Sequence, residues 1–304
     1  MGLPTTTLKN PREAQEWSKG ELAKTRTAGA AVRRSPRDAS SRNDNVPLLL
    51  HHTLAVACIE AGELTKEQAH VAESEAIDKP KELSFVEGEW ELAGKRLFFE
   101  GEWELASKTL TAESGRSAAN GSRAGELYVA LDLARVHKFI GEFAQAAQVL
   151  HRALDVSLDG GDILFELATR SSLATMVSGD GDTDEALSHL ERCRQIVGAG
   201  ENWFGLAGFV ERAEAVVATA QGEYSLAEAH FEKAIATFQH YCLPWEEADT
   251  LQNWGRALVA AGERARAIEK FDAAIEIYRS RGASARFVEY VMADQMRTQE
   301  ARLN

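Results

Sequence analysis

Small and large apolar residues recur along the chain at a spacing that predicts pairs of α-helices. The clearest copy covers residues 245–282, where Gly262 separates two stretches of helical periodicity. Small residues lie seven positions before and five positions after this glycine, at Gly255 and Ala267, and Phe271 lies nine positions after it. Spacings of three and four residues place such side chains on one helix face. The stretch therefore predicts a helical hairpin with a close contact between its helices.

The same pattern occurs six times in the chain. The anchor glycines stand 39 to 41 residues apart and are Gly62, Gly101, Gly141, Gly181, Gly222 and Gly262. A glycine at a helix end can adopt the left-handed conformation that stops the helix. One hairpin cannot bury its apolar face alone, so we expect the hairpins to stack, with the large residue after each glycine filling the space between them.

The predicted fold is therefore an all-α solenoid of about six hairpins followed by a capping helix. The hairpins are expected near residues 46–77, 85–114, 126–158, 163–198, 204–240 and 245–281, and the capping helix near 283–303. The polar residues of that last helix suit the exposed face of a terminal cap. Residues 46–304 are thus expected to form one continuous superhelical domain.

Four short motifs carry a resemblance to a known family. They are Trp90-x-x-Ala93-Gly94, Gly101-x-Trp103-x-x-Ala106, Gly141-x-Phe143-x-x-Ala146 and Gly222-x-Tyr224-x-x-Ala227. Through them, residues 46–282 resemble the tetratricopeptide (TPR) repeat family, which implies a right-handed superhelix. The period of about 40 residues exceeds the usual period of about 34. In this respect the chain is similar to the longer repeats of maltotriose-responsive and LuxR-type ATP-binding transcription regulators and of some nucleotide cyclases.

Residues 1–45 differ from the remainder in charge and composition. Up to Asn43 they contain nine lysines and arginines against four aspartates and glutamates, whereas the whole chain has a net charge of −13. Residues 33–45 contain almost no apolar side chain, which predicts a disordered segment. Four interpretations remain open: a tail that contacts nucleic acid, a transit peptide, an arm that folds on the acidic body, and a linker from an upstream domain.

The overall composition favours a cytoplasmic protein. The net charge of −13 argues against nonspecific binding to nucleic acid or to anionic membranes. No apolar run approaches the roughly 18–20 residues of a membrane span, and no apolar signal-peptide core follows Met1. The cysteines Cys58, Cys193 and Cys242 are odd in number and widely spaced, which favours reduced, buried thiols over disulfides or a metal site.

Sequence motifs of catalysis and cofactor binding are missing from the chain. It contains no phosphate-binding G-x-x-x-x-G-K-[ST] loop, no H-E-x-x-H and no C-x-x-C. The adjacent carboxylates Glu246 and Glu247 are interpreted as solvated residues at a helix start, where the helix dipole favours them. We therefore expect a protein that is not an enzyme and that has no cofactor and no metal site.

The TPR resemblance implies that the first helix of each hairpin lines a concave groove, with inner positions ten, six and three residues before each glycine. Five of these eighteen positions are basic and one is acidic. The candidate ligand-binding residues, including nearby aromatics, are Lys95, Phe98, Tyr128, Arg135, Lys138, Arg212, Gln252 and Arg256. They favour a groove that binds the carboxylates of an acidic peptide segment or of an anionic small molecule. The alternative is that the cations pair with acidic residues on neighbouring helices.

These expectations converge on a non-enzymatic interaction or regulatory module that binds a protein or peptide partner in its groove. The alternative function is a small-molecule-sensing domain of a signalling or transcription regulator that lacks its ATPase and DNA-binding modules. A closed pocket lined by tryptophan and by acidic or amide side chains would favour a sugar and hence the sensing domain, and an open basic groove would favour a peptide. An uncapped solenoid end exposes apolar surface that can self-associate, which leaves a homodimer open.

Overall fold

The computed structural model describes residues 89–179, 183–199 and 205–300. Within these ranges all regular secondary structure is α-helical. The helices are α1 (Glu89–Phe99), α2 (Trp103–Ala119), α3 (Arg123–Ile140), α4 (Phe143–Gly160), α5 (Ile163–Gly179), α6 (Thr183–Val197), α7 (Leu206–Ala220), α8 (Tyr224–His240), α9 (Pro244–Ala260), α10 (Arg264–Ser280) and α11 (Ala285–Glu300). The predicted tail at 1–45 and the predicted hairpin near 46–77 lie outside the described residues.

Consecutive helices pack as hairpins, and the hairpins stack. The pairs α1–α2, α3–α4, α7–α8 and α9–α10 are each joined by a short turn, α5 packs against α6, and each hairpin packs against the next. The first helices of the hairpins, α1, α3, α5, α7 and α9, line the inside of the solenoid. The prediction of an all-α solenoid of helical hairpins is confirmed.

The turn at Gly141 shows why glycine ends the first helix of a hairpin. Gly141 has a φ of 82°, in the left-handed region that a side chain disfavours. Its amide donates to the carbonyl of Lys138 at 3.2 Å, and the next amide, of Glu142, donates to His137 at 2.9 Å. These two bonds satisfy carbonyls that the end of α3 would otherwise leave without a partner.

Within a hairpin, large residues of the second helix pack directly against small residues of the first. A Cβ added to Gly255 would stand 2.5 Å from the ring of Phe271, and one added to Gly94 would stand 2.4 Å from Leu110. The large residue therefore packs first against its own hairpin, which the sequence had not indicated. Contacts between hairpins exist as well, since Phe231 stacks on Trp254 with ring centroids 5.9 Å apart.

The solenoid turns back on itself, so that α11 packs against α1 and α2. Phe287 of α11 is 1% exposed, and its ring centroid lies 5.1 Å from Phe98 and 5.4 Å from Trp103. At the same place α1 also packs against α9, where the ring centroids of Phe99 and Trp245 lie 4.4 Å apart. We call this aromatic group the closure cluster; it consists of Phe98, Phe99, Trp103, Phe139, Trp245, Tyr278, Phe287 and Tyr290.

Polar contacts reinforce the closure at its edge. Arg286 donates to the carbonyl of Gly101 at 2.9 Å and to both carboxylate oxygens of Glu104 at 2.7 and 2.8 Å. Its guanidinium also lies 4.1 Å from the ring centroid of Trp103. The hydrogen bonds from Arg286 lower the pKa of Glu104 to about 2. The last helix thus joins both ends of the described solenoid in addition to capping one of them.

Candidate functional site

The inner helices enclose a central cavity of about 370 Å³. Cavities of roughly 300–1,000 Å³ hold most small ligands of proteins. One wall is the closure cluster, so the enclosure depends on the contact between the two ends of the solenoid. Opposite it, α5 contributes the uncharged Ser171, Ser172 and Thr175, whose hydroxyls donate to carbonyls of their own helix.

Six of the eight candidate residues line this cavity: Lys95, Phe98, Tyr128, Arg135, Lys138 and Arg212. Tyr128 stands half-exposed, and its ring packs edge-on against Phe165 at 4.8 Å. Arg256 lines a second cavity of about 330 Å³, which shares Lys138 with the first. Gln252 is fully buried and donates a hydrogen bond to Asp294 at 2.7 Å.

Five charged residues form an alternating row across the cavity. Arg135 of α3 contacts Glu246 of α9 at 2.5 Å, and Arg212 of α7 contacts the same carboxylate at 2.8 Å. Arg212 also contacts Asp249 at 3.0 Å, and Asp249 accepts from Lys138 at 3.2 Å. The row therefore runs Arg135, Glu246, Arg212, Asp249, Lys138, and it connects three inner helices.

Burial and charge act in opposite directions on the pKa of Asp249. The side chain of Asp249 is 13% exposed. Burial alone would raise the pKa of Asp249, but the ammonium of Lys138 and the guanidinium of Arg212 hold it well below its usual range. Asp249 is therefore ionised at neutral pH, and it keeps its two cations in place.

The sequence had missed the two carboxylates of the row. Glu246 lies in the first turn of α9, as predicted, but it is 5% exposed, so the interpretation of it as solvated is wrong. Glu246 and Asp249 lie sixteen and thirteen residues before Gly262, on one face of α9 at helical spacing. The inner positions implied by the resemblance began ten residues before the glycine and so left out the first turns of the helix. Extending the same face backwards would have found both residues.

All five inner cations make ion pairs. Besides the row, Lys95 lies 3.5 Å from Asp132, and Arg256 lies 2.7 Å from Asp294. The partners of Arg135 and Lys138 stand 111 residues away along the chain, on α9. The alternative that the cations pair with acidic residues thus describes contacts that exist, although these two pairs join α3 to a helix that does not follow it in the stack.

Arg212 is held between aromatic rings and carboxylates. Its guanidinium carbon lies 4.9 Å from the ring centroid of Phe209 and 5.6 Å from that of Phe238. Its Nη1 forms ion pairs with both Glu246 and Asp249, and its Nε is buried with no hydrogen-bond partner. Stacking and ion pairing together fix the position of this side chain in the wall of the cavity.

The described residues show little that would support other chemistry. Burial raises the pKa of the Cys193 thiol to about 12, so it is a poor nucleophile. In the described ranges, no group of three or more histidine, cysteine, aspartate and glutamate side chains is arranged to hold a metal ion. Among the helices that the structure describes, none is long and apolar enough to cross a membrane.

Comparison with known proteins finds a family model that matches part of the chain. A family model described as "Tetratricopeptide repeat" matches residues 130–164, which include the Gly141 turn and all of α4. The TPR resemblance is thereby supported. No curated protein sequence matches the chain.

A solved structure supports the same helical architecture. A Rap protein crystallised in complex with Competence and Sporulation Factor has a TM-score of 0.63 to this TPR-like chain at 14% identity, over 91% of this chain and 76% of the Rap chain. At this identity the likeness shows the fold alone. A putative kinesin light chain from Podosopora anserina with TPR-like repeats gives a TM-score of 0.40 at 19% identity, over 62% of this chain and 92% of that one.

Proposed function

We propose that the protein is a non-enzymatic interaction module that binds a short segment of a partner protein in its central cavity. The observation that carries the proposal is the cavity itself, which six of the eight candidate residues line. Helical repeat proteins present their inner surface to ligands. The fold shared with a Rap protein crystallised with a bound factor supports a binding function of this kind.

The partly enclosed geometry limits how much of a partner can enter. The closure cluster joins α1, α9 and α11 and thereby blocks one side of the groove. A volume of about 370 Å³ holds a few side chains and excludes a whole helix, which has a diameter of about 10–12 Å. The partner therefore contributes a short segment, and its polar groups meet the alternating row of charges.

The second candidate function is a small-molecule sensor, as in the regulators and cyclases that the long repeat resembles. The observation that favours it is the composition of the cavity wall, which places Trp245 beside Glu246 and Asp249 in a preformed, partly closed pocket. Such pockets bury most of a compact ligand and need few polar groups to orient it.

The experiment that tests the proposal is a capture assay with a filled cavity. Ser172 is half-buried on α5 and lines the cavity, so Ser172→Trp fills the space with an indole ring. Gln195→Trp adds the same ring to an exposed position on α6 and is the matched control. Each variant is immobilised and exposed to an extract of the source cells, after its helical content is shown to equal that of the wild type.

We expect a partner that the wild type and Gln195→Trp retain and that Ser172→Trp loses. Equal retention by all three proteins would place the binding surface outside the cavity and refute the proposal. If the wild type retains nothing, the sensor becomes the better account, and a thermal-shift screen of small metabolites should then identify a ligand whose stabilisation Ser172→Trp abolishes.

A further inference from the structure

Resting on the proposed function, we infer that the bound segment is an extended chain of about six residues that passes from the central cavity into the second cavity, along the inner helices. Each of the two cavities receives one apolar side chain of the segment. The second cavity, of about 330 Å³, is thus a binding site that acts together with the first.

The two cavities meet at three side chains. Lys138 of α3 and Thr175 and Met176 of α5 line both of them. All three side chains are half-buried. Lysine and methionine side chains are long, unbranched and flexible, so they adapt to a chain that passes between them. The cavities are therefore adjacent, and movable side chains separate them.

The cavities follow each other along the inner helices. On α9 the residues that line the central cavity fall within 245–249, and those that line the second cavity fall within 253–257. On α7 the corresponding ranges are 206–212 and 216–219. On both helices the second cavity lies nearer to the C-terminal end. The line that joins the two cavities therefore runs along these helices and not across them.

Helix geometry gives the length of the site. At a rise of 1.5 Å per residue, the stretch of α7 from Leu206 to Thr219 measures about 20 Å, which about six residues of an extended chain span at about 3.3 Å each. The middles of the two ranges on α9 lie about eight residues apart, or about 12 Å. Side chains four positions apart in an extended segment are about 13 Å apart and point to the same side.

Both cavities offer apolar contacts to such side chains. Leu131, Leu206 and Phe209 line the central cavity, and Phe143 and Val216 line the second cavity. Phe143 is 48% exposed, so a side chain in the second cavity covers an aromatic ring that otherwise contacts solvent. The removal of apolar surface from water favours association. One apolar side chain in each cavity is therefore the arrangement that the walls favour.

The junction between the cavities suits the main chain of the segment. The Nζ of Lys138 lies 3.2 Å from both carboxylate oxygens of Asp249. An ammonium group has three donors, so one more can donate to a main-chain carbonyl of the segment. The side chain of Lys138 is 21% exposed, and its pair with Asp249 holds it in position before the segment arrives. Such preorganisation lowers the cost of binding.

Two capped pentapeptides of identical composition test the inference on the full chain. They are acetyl-Phe-Ala-Ala-Ala-Phe-amide, whose rings are four positions apart, and acetyl-Phe-Ala-Phe-Ala-Ala-amide, whose rings are two positions apart. Titration calorimetry should show the first peptide binding about tenfold or more tightly, because it alone buries one ring in each cavity. Equal affinities, tighter binding of the second peptide, or no binding of either in the millimolar range would overturn the inference.

Variants that fill one cavity at a time locate the two rings. Thr219 is half-buried on α7 and lines the second cavity, so Thr219→Trp fills this cavity, as Ser172→Trp fills the central one. Each variant should abolish the preference for the widely spaced peptide, and Gln195→Trp should keep it. A preference that survives Thr219→Trp in a protein of unchanged helical content would show that the second ring does not enter the second cavity.

The capture assay separates this inference from the proposed function. Thr219→Trp should lose the same partner that Ser172→Trp loses, because one segment occupies both cavities. If Thr219→Trp retains the partner and Ser172→Trp loses it, the ligand is confined to the central cavity; the inference then falls and the proposed function stands. If both variants retain the partner, the proposed function falls and the inference falls with it.

Discussion

At the scale of single residues, the distance between paired helices depends on which positions lack a side chain. Gly255 lies under the ring of Phe271, and an added Cβ would meet three ring carbons at 2.5 to 2.8 Å. Phe271 is fully buried, so its ring has no free space into which to move. Such a contact turns a glycine, which is normally unfavourable inside a helix, into a residue that the packing requires.

We therefore expect opposite effects from two glycine-to-alanine substitutions. Gly255→Ala should lower the free energy of unfolding by about 1 kcal/mol, because overpacking outweighs the gain in helix propensity. Gly115→Ala, at an exposed position of α2 and with no atom within 4 Å of its added Cβ, should raise it by about 0.5–1 kcal/mol. Urea denaturation of both variants measures the two changes. Stabilisation by Gly255→Ala would show that the ring can move.

At the scale of the helices, the alternating row links three elements that are distant in the chain. Asp249 of α9 is held between Lys138 of α3 and Arg212 of α7. The removal of one partner from a buried pair leaves a desolvated charge behind, which costs far more than the pair contributes when it is intact. The row therefore makes the relative position of these helices sensitive to a single carboxylate.

Asp249→Asn should accordingly destabilise the protein by about 3–5 kcal/mol at pH 7. The pKa of Asp249 is lowered in the folded state, so its ionised form contributes stability above the unfolded pKa of about 3.9, and the contribution is lost as the pH falls below that value. The difference between variant and wild type should thus shrink as the pH decreases below about 4. Urea denaturation between pH 7 and pH 3 measures this change.

Asp159→Asn is the matched control for this series. Asp159 is exposed at the end of α4, where the loss of a surface carboxylate should change the free energy of unfolding by no more than about 0.5 kcal/mol. If Asp249→Asn changes the free energy of unfolding at pH 7 as little as this control does, the ion pairs of Asp249 do not stabilise the fold. The alternating row would then not be a fixed wall of the cavity.

The contacts that the sequence predicted are those made within one repeat. The hairpin of α9 and α10 follows from its anchor Gly262 and a fixed spacing, whatever the remaining chain does, whereas the packing of Phe271 on Gly255 within that hairpin was not predicted. The candidate cations also follow from this spacing, because each inner helix presents the same positions. The repeat period therefore predicts where the helices lie and which of their faces point into the solenoid.

The partners across the cavity could not be predicted in this way. The distance from Arg135 to Glu246 depends on the curvature of the whole solenoid, which sums small rotations between hairpins. Phe287 lies in the predicted capping helix, and only the closure shows that it contacts α1 and α2. Such contacts have no local signal in a single sequence.

At the scale of the whole molecule, the contact between the two ends converts an open groove into a partly enclosed cavity. Solenoids are usually stabilised by contacts between neighbouring repeats alone. Here the closure cluster adds contacts between the first and last described helices, and it supplies a wall of the cavity. The proposed binding of a short segment depends on this closure.

A double-mutant cycle between Phe98 and Phe287 tests the closure most directly. Their rings meet edge-to-face with centroids 5.1 Å apart, and both are buried. Phe98→Leu, Phe287→Leu and the double variant keep an apolar side chain at each site, and urea denaturation gives the four free energies of unfolding. The closed solenoid predicts a coupling of about 0.5–1.5 kcal/mol. A coupling within about 0.3 kcal/mol of zero would show that the two ends do not meet, and the cavity would then be an open groove.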